Sequence, residues 1–155
     1  MFFLIGFVIF LFGFVFVGQM LGGRITDLID FTSLLMILIP LLGVLTATRS
    51  FRSFYGGMKA VILPKEPLTE ELRGQAASLF RLLSKTTALA SGMGVLVSLM
   101  NILMSLDFSH PEIRYIIGNN VAASLIVMLY GLFLIAAVFE PVVFNLKKRR
   151  DTERK

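Results

Sequence analysis

The sequence predicts an all-α membrane protein with four transmembrane helices and a short helical cytoplasmic segment between the second and the third. Of the 155 residues, 56% are hydrophobic and only 16% are charged, which is more apolar than a soluble domain of this length. The chain also contains four apolar runs that are each long enough, or nearly so, to cross a bilayer. We therefore expect residues 1–155 to form a single membrane domain.

The composition also limits the chemistry. Without cysteine, the chain has no disulfide and no thiolate nucleophile, and the single histidine, His110, is too little for a histidine metal site. No Ser-His-Asp arrangement and no phosphate-binding loop is found in the sequence. The sequence therefore predicts no enzyme, no catalytic residues, no metal site and no cofactor.

The first helix is expected over about residues 2–22. Seven of the fifteen phenylalanines lie between Phe2 and Phe16, spread around the helix without a polar face. A helix of this kind is best placed facing lipid, as an anchor. Since no convincing cleavage site precedes Gly22-Gly23, we interpret it as a retained helix, not as a signal peptide.

The second helix is expected over residues 31–48, with Asp30 at its N-terminus and a bend at Pro40. Residues 49–85 form the predicted cytoplasmic segment. Its first part, residues 49–63, is interpreted as a continuation of the second helix, loosened at Gly56-Gly57. A new helix is expected from Leu68, running directly into the third membrane helix.

The third crossing, residues 86–106, carries a stripe of small and polar residues. They follow at steps of three and four, which places them on one helix face: Ser84, Thr87, Ser91, Gly94, Ser98, Asn101 and Ser105. One interpretation is close packing against another helix. The other is the wall of a water-accessible pore, for which the sequence predicts a lining of Ser91, Gly94, Ser98, Asn101, Asn120 and Ser124. In a ring, both interpretations can hold together.

The fourth crossing is expected over residues 116–144, longer than the bilayer core, followed by a basic tail at 145–155. Glu140 is the only carboxylate within the apolar runs. It lies about 23 residues beyond Ile117, or ~35 Å along the helix, which predicts a position near the cytoplasmic surface. A surface carboxylate paired with Arg49, Arg52 or Lys85 is the simpler interpretation, and a functional charge is the other.

Charged residues of the middle segment form the candidate force-transmitting surface: Glu70, Glu71, Arg73 and Arg81. A solvated helix face explains them equally. Of the fifteen Lys and Arg residues, seven lie in residues 49–85, six follow Phe144 and two lie elsewhere. By the positive-inside rule, this predicts that both termini and the middle segment are cytoplasmic. Because these cations flank apolar segments, they indicate membrane topology and contact with membrane lipid rather than nucleic-acid binding.

Three segments carry a resemblance to a known family. The first runs from Gly22-Gly23 through Ile29-Asp30 and includes Ser33-Leu34-Leu35. The second is Ala90-Ser91-Gly92-Met93-Gly94. The third is Leu129-Tyr130-Gly131, followed by Phe139–Leu146 with Pro141. In their order and in the predicted topology, they resemble the MotA/TolQ/ExbB proton channel family, closest to a MotA-type member with a shortened cytoplasmic segment.

The resemblance implies a multi-pass protein of the bacterial inner membrane that forms a homo-pentamer around a MotB/ExbD-like single-helix partner. The third and fourth helices would line the pore, and a carboxylate on the partner would carry the ion, so that ion flow drives a motor or stator complex. The sequence departs from the family at Leu89, where a proline is typical, and at Val127 and Met128, where hydroxyls are common. These departures favour an alternative, a non-conducting structural ring or scaffold. A small four-helix transporter would need a mid-membrane charge or an internal repeat, and the sequence has neither.

Overall fold

The structure is a computed structural model that describes residues 2–20, 30–63, 69–104 and 113–153. Of these, 95% are helical and none lies in a strand, which confirms the all-α prediction. The elements in chain order are α1 (Phe2–Met20), α2 (Phe31–Ala47), α3 (Phe51–Ile62), α4 (Glu70–Met104), α5 (Ile113–Leu134), a π-helical segment (Ile135–Phe139) and α6 (Glu140–Glu153).

Helix α4 is the centre of the bundle, because it contacts α2, α3, α5, the π-helical segment and α6. It runs antiparallel to α5 and α6: Phe80 packs near Phe139, whereas Gly94, further along α4, packs against Val127. Helix α2 lies against α4 and α5, while α3 lies against α4 and α6. The bundle therefore has two ends, one with α3 (the α3 end) and one with the start of α2 (the Asp30 end).

Two helices are long and apolar enough to cross a membrane, Glu70–Met104 and Ile113–Lys148. The α2–α3 pair makes a third if the two helices are counted as one broken span, and the apolar helix Phe3–Phe16 is shorter. The described residues thus hold two or three candidate crossings. The membrane class is supported, and the fourth crossing stays a prediction.

Helix α4 continues without a break from the polar segment into the apolar one, as predicted. Its 35 residues extend ~52 Å, beyond a hydrocarbon core of ~30 Å. The helix after it is longer than expected, since α6 continues to Glu153 where a basic tail was expected. Leu146 accounts for the start of the extension, because it lies beyond the predicted end and is buried in the core.

The prediction that α2 continues into residues 49–63 is wrong, because α2 and α3 meet at 113°. Arg49 adopts a left-handed conformation with φ of 50°, and the backbone N–H of Ser50 reaches back to the carbonyl of Leu45 at 3.1 Å. This six-residue closure is a Schellman ending, which terminates a helix. Gly56 and Gly57, where loosening was expected, lie inside α3.

The apolar core is densest at the α3 end, around Phe80. Its ring is fully buried and stacks on Phe54 with centroids 5.4 Å apart, and Phe139 lies 6.0 Å away on the other side. Gly57 permits this contact, because a Cβ there would lie 2.7 Å from the Phe80 ring. The amphipathic α3 is therefore held against α4 by aromatic packing.

Helix α1 is peripheral, in agreement with an anchor role. It contacts α3 and the π-helical segment. Three of its phenylalanines, Phe7, Phe10 and Phe14, surround the ring of Phe133 edge-on at 5.4–6.1 Å. Most of its other large side chains are exposed, as expected for a lipid-facing helix. Predictions that concern Gly22-Gly23, Ser105 and His110 lie outside the described residues.

Candidate functional site

A polar cavity of about 460 Å³ lies at the Asp30 end, between α2, α4 and α5. Most of its lining side chains carry an oxygen or an amide: Asp30, Thr32, Ser33, Ser98, Asn101, Asn120 and Ser124. Three apolar side chains complete the wall, Met36, Ile102 and Val127. Polar side chains that converge between apolar membrane helices are costly to maintain, so they indicate a function.

The carboxylate in this cavity belongs to Asp30, which caps α2. Its oxygens accept hydrogen bonds from the backbone N–H of Thr32 at 3.1 Å and of Ser33 at 3.2 Å, and also from the Ser33 hydroxyl. These are the donors that a helix N-terminus leaves unpaired. The backbone N–H of Asp30 in turn donates to the Tyr130 hydroxyl on α5 at 2.9 Å. The position of the negative charge is therefore set by two helices.

The opposite wall carries neutral polar groups from α4 and α5. Ser124 is buried and donates to the carbonyl of Asn120 at 2.8 Å, while Asn120 itself is exposed. Ser98 is half-buried and Asn101 is exposed. Hydroxyls and amides can accept as well as donate hydrogen bonds. Together with one carboxylate, they suit water and a small hydrated cation such as hydronium or sodium.

The polar stripe on α4 is divided between two environments. Ser98 and Asn101 face the cavity, whereas Ser91 and Gly94 are buried between helices of the same chain. A Cβ on Gly131 of α5 would lie 1.8 Å from the Ser91 hydroxyl, and a Cβ on Gly94 would lie 2.7 Å from Val127. Ser91 and Gly94 thus serve close helix packing within the chain, the first of the two interpretations.

Two buried hydroxyls further along the stripe lack hydrogen-bond partners in the part of the chain that the structure describes. Ser84 and Thr87 are both buried, and within the described residues neither hydroxyl has a hydrogen-bond partner. The Ser91 hydroxyl, in contrast, donates to the backbone carbonyl of Thr87 at 2.8 Å. A buried hydroxyl without a partner is destabilising by about 1–3 kcal/mol, so this part of α4 is not optimised for stability alone.

Glu140 is exposed and opens α6 directly after the π-helical segment. Its backbone N–H donates to the carbonyl of Ile135, five residues back. This wider turn precedes Pro141, whose ring would clash with the preceding turn of a regular α-helix. Among the described residues, Glu140 forms no ion pair with Arg49, Arg52 or Lys85, so the predicted pairing is not found.

Of the residues of the candidate force-transmitting surface, Glu70, Glu71 and Arg81 are exposed, whereas Arg73 is buried. Only 6% of Arg73 is exposed. The helical period explains the difference, because Arg73 lies three residues before the fully buried Ala76 and therefore on the core-facing side of α4. A guanidinium in this position acts within the fold and is not available to a partner.

Sequence reasoning missed the contribution of α2 to the cavity. The sequence predicts Asp30 only as the start of a helix, whereas the structure places it, together with Thr32 and Ser33, opposite Ser98 and Asn120. The pairing of Asp30 with Tyr130 spans 100 residues of sequence. The local pattern of a cap followed by hydroxyls was visible, but the helix that faces it was not.

No protein-family model and no curated protein matches this chain. The family resemblance therefore depends on its three quoted segments. In the structure, these segments contact one another: Asp30 meets Tyr130, and Ser91 meets Gly131. Of the described residues that carry the resemblance, Asp30, Ser91, Tyr130 and Gly131 thus lie between the cavity and the packed centre of α4 and α5, whereas Phe139–Leu146 lies at the α3 end.

Proposed function

We propose that this protein is a ring-forming subunit of an ion-driven motor or stator complex of the MotA/TolQ/ExbB kind, with protons as the driving ion. The observation that carries the proposal is the cavity at the Asp30 end. Four of the six residues expected to line a pore border it, namely Ser98, Asn101, Asn120 and Ser124. Neutral polar groups on neighbouring membrane helices are what an aqueous ion path requires.

In this proposal, the cavity faces the centre of a homo-pentamer, and the carboxylate of a single-helix partner carries the ion past it. Asp30 adds a negative charge of the chain itself beside that path. A fixed charge of this kind raises the local concentration of cations. Its role is to attract the ion, while the partner carboxylate binds and releases it.

The shape of the long helices supports force transmission. Helix α4 and the α5–π–α6 arm both continue past the length of a bilayer and are joined at the α3 end by the Phe54, Phe80 and Phe139 cluster. A movement at the Asp30 end therefore reaches the α3 end through continuous, packed helices. Glu70, Glu71 and Arg81 are exposed there for contact with the load.

The proposed topology has four crossings, with both termini and the α3 end on the cytoplasmic side of the bacterial inner membrane. Since the chain has no cysteine, single cysteines can report the side of the membrane directly. Cysteines at Lys65 and Lys155 should react with a membrane-impermeant maleimide only after the cells are opened. Cysteines at Thr26 and Ser109 should react in cells whose outer membrane alone is permeabilised, and the reverse pattern would contradict this topology.

Ion conduction is tested by proton flux into vesicles that contain the protein together with a co-purified single-helix partner. Replacing Asn101 with leucine should lower the flux at least tenfold, because the cavity wall then loses a polar group and gains bulk. Leu96→Ala, on an exposed apolar position of the same helix, is the matched control and should leave the flux unchanged. Equal effects of the two variants would contradict a path along this cavity.

The ring is tested separately by particle symmetry in mild detergent. Five-fold particles are expected, and a stable monomer or a two-fold dimer would contradict the ring whatever the flux. This measurement also keeps failure of the ring distinct from failure of conduction.

The second candidate is a non-conducting structural ring or scaffold. The contacts of Gly94 with Val127 and of Gly131 with Ser91 favour it, because they bury this part of the polar stripe between helices of the same chain. A scaffold should form the same rings and show no proton flux with or without a partner. Five-fold rings with flux that depends on the partner would exclude it.

A further inference from the structure

A second polar cavity, of about 470 Å³, lies at the corner between α2 and α3. The corner itself contributes Arg49 and three hydroxyl residues, Thr48, Ser50 and Ser53. Helix α4 contributes Gln75 and Ser78, and no carboxylate lines the cavity. The cavity is open to the surface and is larger than a free ion needs.

The charge around the cavity is predominantly positive. Arg81 and Lys85 are exposed on α4 and follow the lining residues Ser78 and Leu82 by three positions, which places them on the same side of the helix. The Glu71 carboxylate is close to this site, because it accepts a hydrogen bond from the Gln75 amide at 3.3 Å, but it does not line the cavity. The hydroxyls of the corner already donate within the protein, to Val44, Thr48 and Gln75. The corner therefore offers one cation inside, two at the edge and two neutral donors, the Ser78 hydroxyl and the second amide hydrogen of Gln75.

The depth of the cavity follows from the helices that form it. The apolar α2 ends at Ala47, and the amphipathic α3 turns away from it at 113°. A turn of this kind between an apolar and an amphipathic helix occurs where the hydrocarbon meets the headgroups. Leu82, which is 41% exposed, continues the cavity along α4, while Leu79 beside it is buried. Polar groups thus lie beside an exposed apolar side chain, an arrangement that suits the boundary between hydrocarbon and headgroups.

We propose that this corner cavity binds the phosphate group of an anionic phospholipid. The Arg49 guanidinium pairs with the phosphate, and the Ser78 hydroxyl and the second amide hydrogen of Gln75 donate to it as well. The acyl chains lie along the exposed Leu82. This proposal is independent of ion conduction and rests on the proposed topology, which places the α2–α3 corner at the cytoplasmic leaflet, where anionic phospholipid is present.

The decisive variant is Arg49→Gly. Arg49 has a φ of 50°, which glycine adopts without strain, so the variant removes the charge and leaves the corner intact. Native mass spectrometry of the delipidated protein, titrated with phosphatidylglycerol, should show a loss of affinity of about tenfold or more. Arg52→Gln removes an exposed charge three residues away that does not line the cavity. The affinity of this variant for phosphatidylglycerol should change less than about twofold.

Ser78→Leu provides a second variant that keeps every charge. Leucine fills the cavity from α4 and has a higher helix propensity than serine, so the fold is retained and lipid binding should fall as it does for Arg49→Gly. An equal loss in Arg49→Gly and Arg52→Gln would overturn the proposal, because it would indicate attraction to the surface charge alone. Unchanged binding in Ser78→Leu would overturn it as well.

The ligand itself is tested by competition. Phosphatidylcholine should bind at least about tenfold more weakly than phosphatidylglycerol, because its headgroup carries no net charge. Inorganic phosphate at millimolar concentration should not displace the lipid, since it gains nothing from the apolar surface. Equal binding of the two lipids, or displacement by inorganic phosphate alone, would contradict a phospholipid site.

Discussion

The two halves of the stripe on α4 share one sequence pattern and have different neighbours. At the Asp30 end, Ser98 and Asn101 border a cavity that contains a carboxylate. Towards the α3 end, Ser91 and Gly94 are pressed against Gly131 and Val127. This difference shows that small and polar residues at helical spacing indicate only that this face of the helix avoids lipid. Whether the face packs or lines a space is decided by the helix opposite.

The comparison predicts that stability resides in the packed half and at the α3 end. The largest effect is expected for Phe80→Ala, because the Phe80 side chain is fully buried between Phe54 and Phe139. Its loss should lower the free energy of unfolding by about 3–5 kcal/mol. Phe51→Ala, on the exposed side of α3, should cost less than about 1 kcal/mol. Thermal unfolding in detergent measures both, and similar losses would show that the α3 end is not the core.

The second prediction concerns the helix contact that closes the stripe. In Gly131→Ala the new methyl group meets both the Cβ and the hydroxyl of Ser91, so α4 and α5 must separate. We expect destabilisation of about 1–3 kcal/mol. Gly92→Ala has open space around the new methyl group and should be neutral or stabilising by up to about 1 kcal/mol.

A compensating change sharpens this test. Adding Ser91→Gly to Gly131→Ala removes the clashing side chain and should recover at least half of the lost stability. Absence of recovery would mean that Gly131 is needed for a reason other than contact with Ser91.

The third prediction separates the two roles of Asp30. Asp30→Ala removes the cap of α2 and should destabilise the protein by about 1 kcal/mol, whereas asparagine caps a helix about as well as aspartate and should be nearly neutral. Both variants remove the negative charge from the cavity. Proton flux with the partner should therefore fall in both, although only one loses stability. Flux that follows stability instead of charge would refute the electrostatic role.

What could be predicted from the sequence follows the same division between the local pattern of a helix and the neighbours that it meets. The 3.6-residue period correctly predicts that the stripe lies on one helix face and that α4 continues without a break from the polar segment into the apolar one. It did not place Arg73, because charge was taken to indicate exposure, while the period itself assigns Arg73 to the buried side. The meeting of Asp30 with Tyr130 depends on the packing of distant helices, which no local pattern contains.

The smallest effect is expected at the α2–α3 corner, where no residue in the sequence predicted a break. A proline or glycine usually marks such an ending, and here Arg49 occupies the left-handed position that glycine prefers. Arg49→Gly should therefore stabilise the lipid-free protein by about 1 kcal/mol, or about 2–4 °C in Tm. Arg52→Gly, in the first turn of α3, should lower Tm by a smaller amount, because glycine is a poorer helix former than arginine. The same chemical change three residues apart thus has opposite signs only if Arg49 lies in a break between two helices and Arg52 lies in the helix that follows. Equal destabilisation by both variants would indicate a continuous helix from α2 into α3.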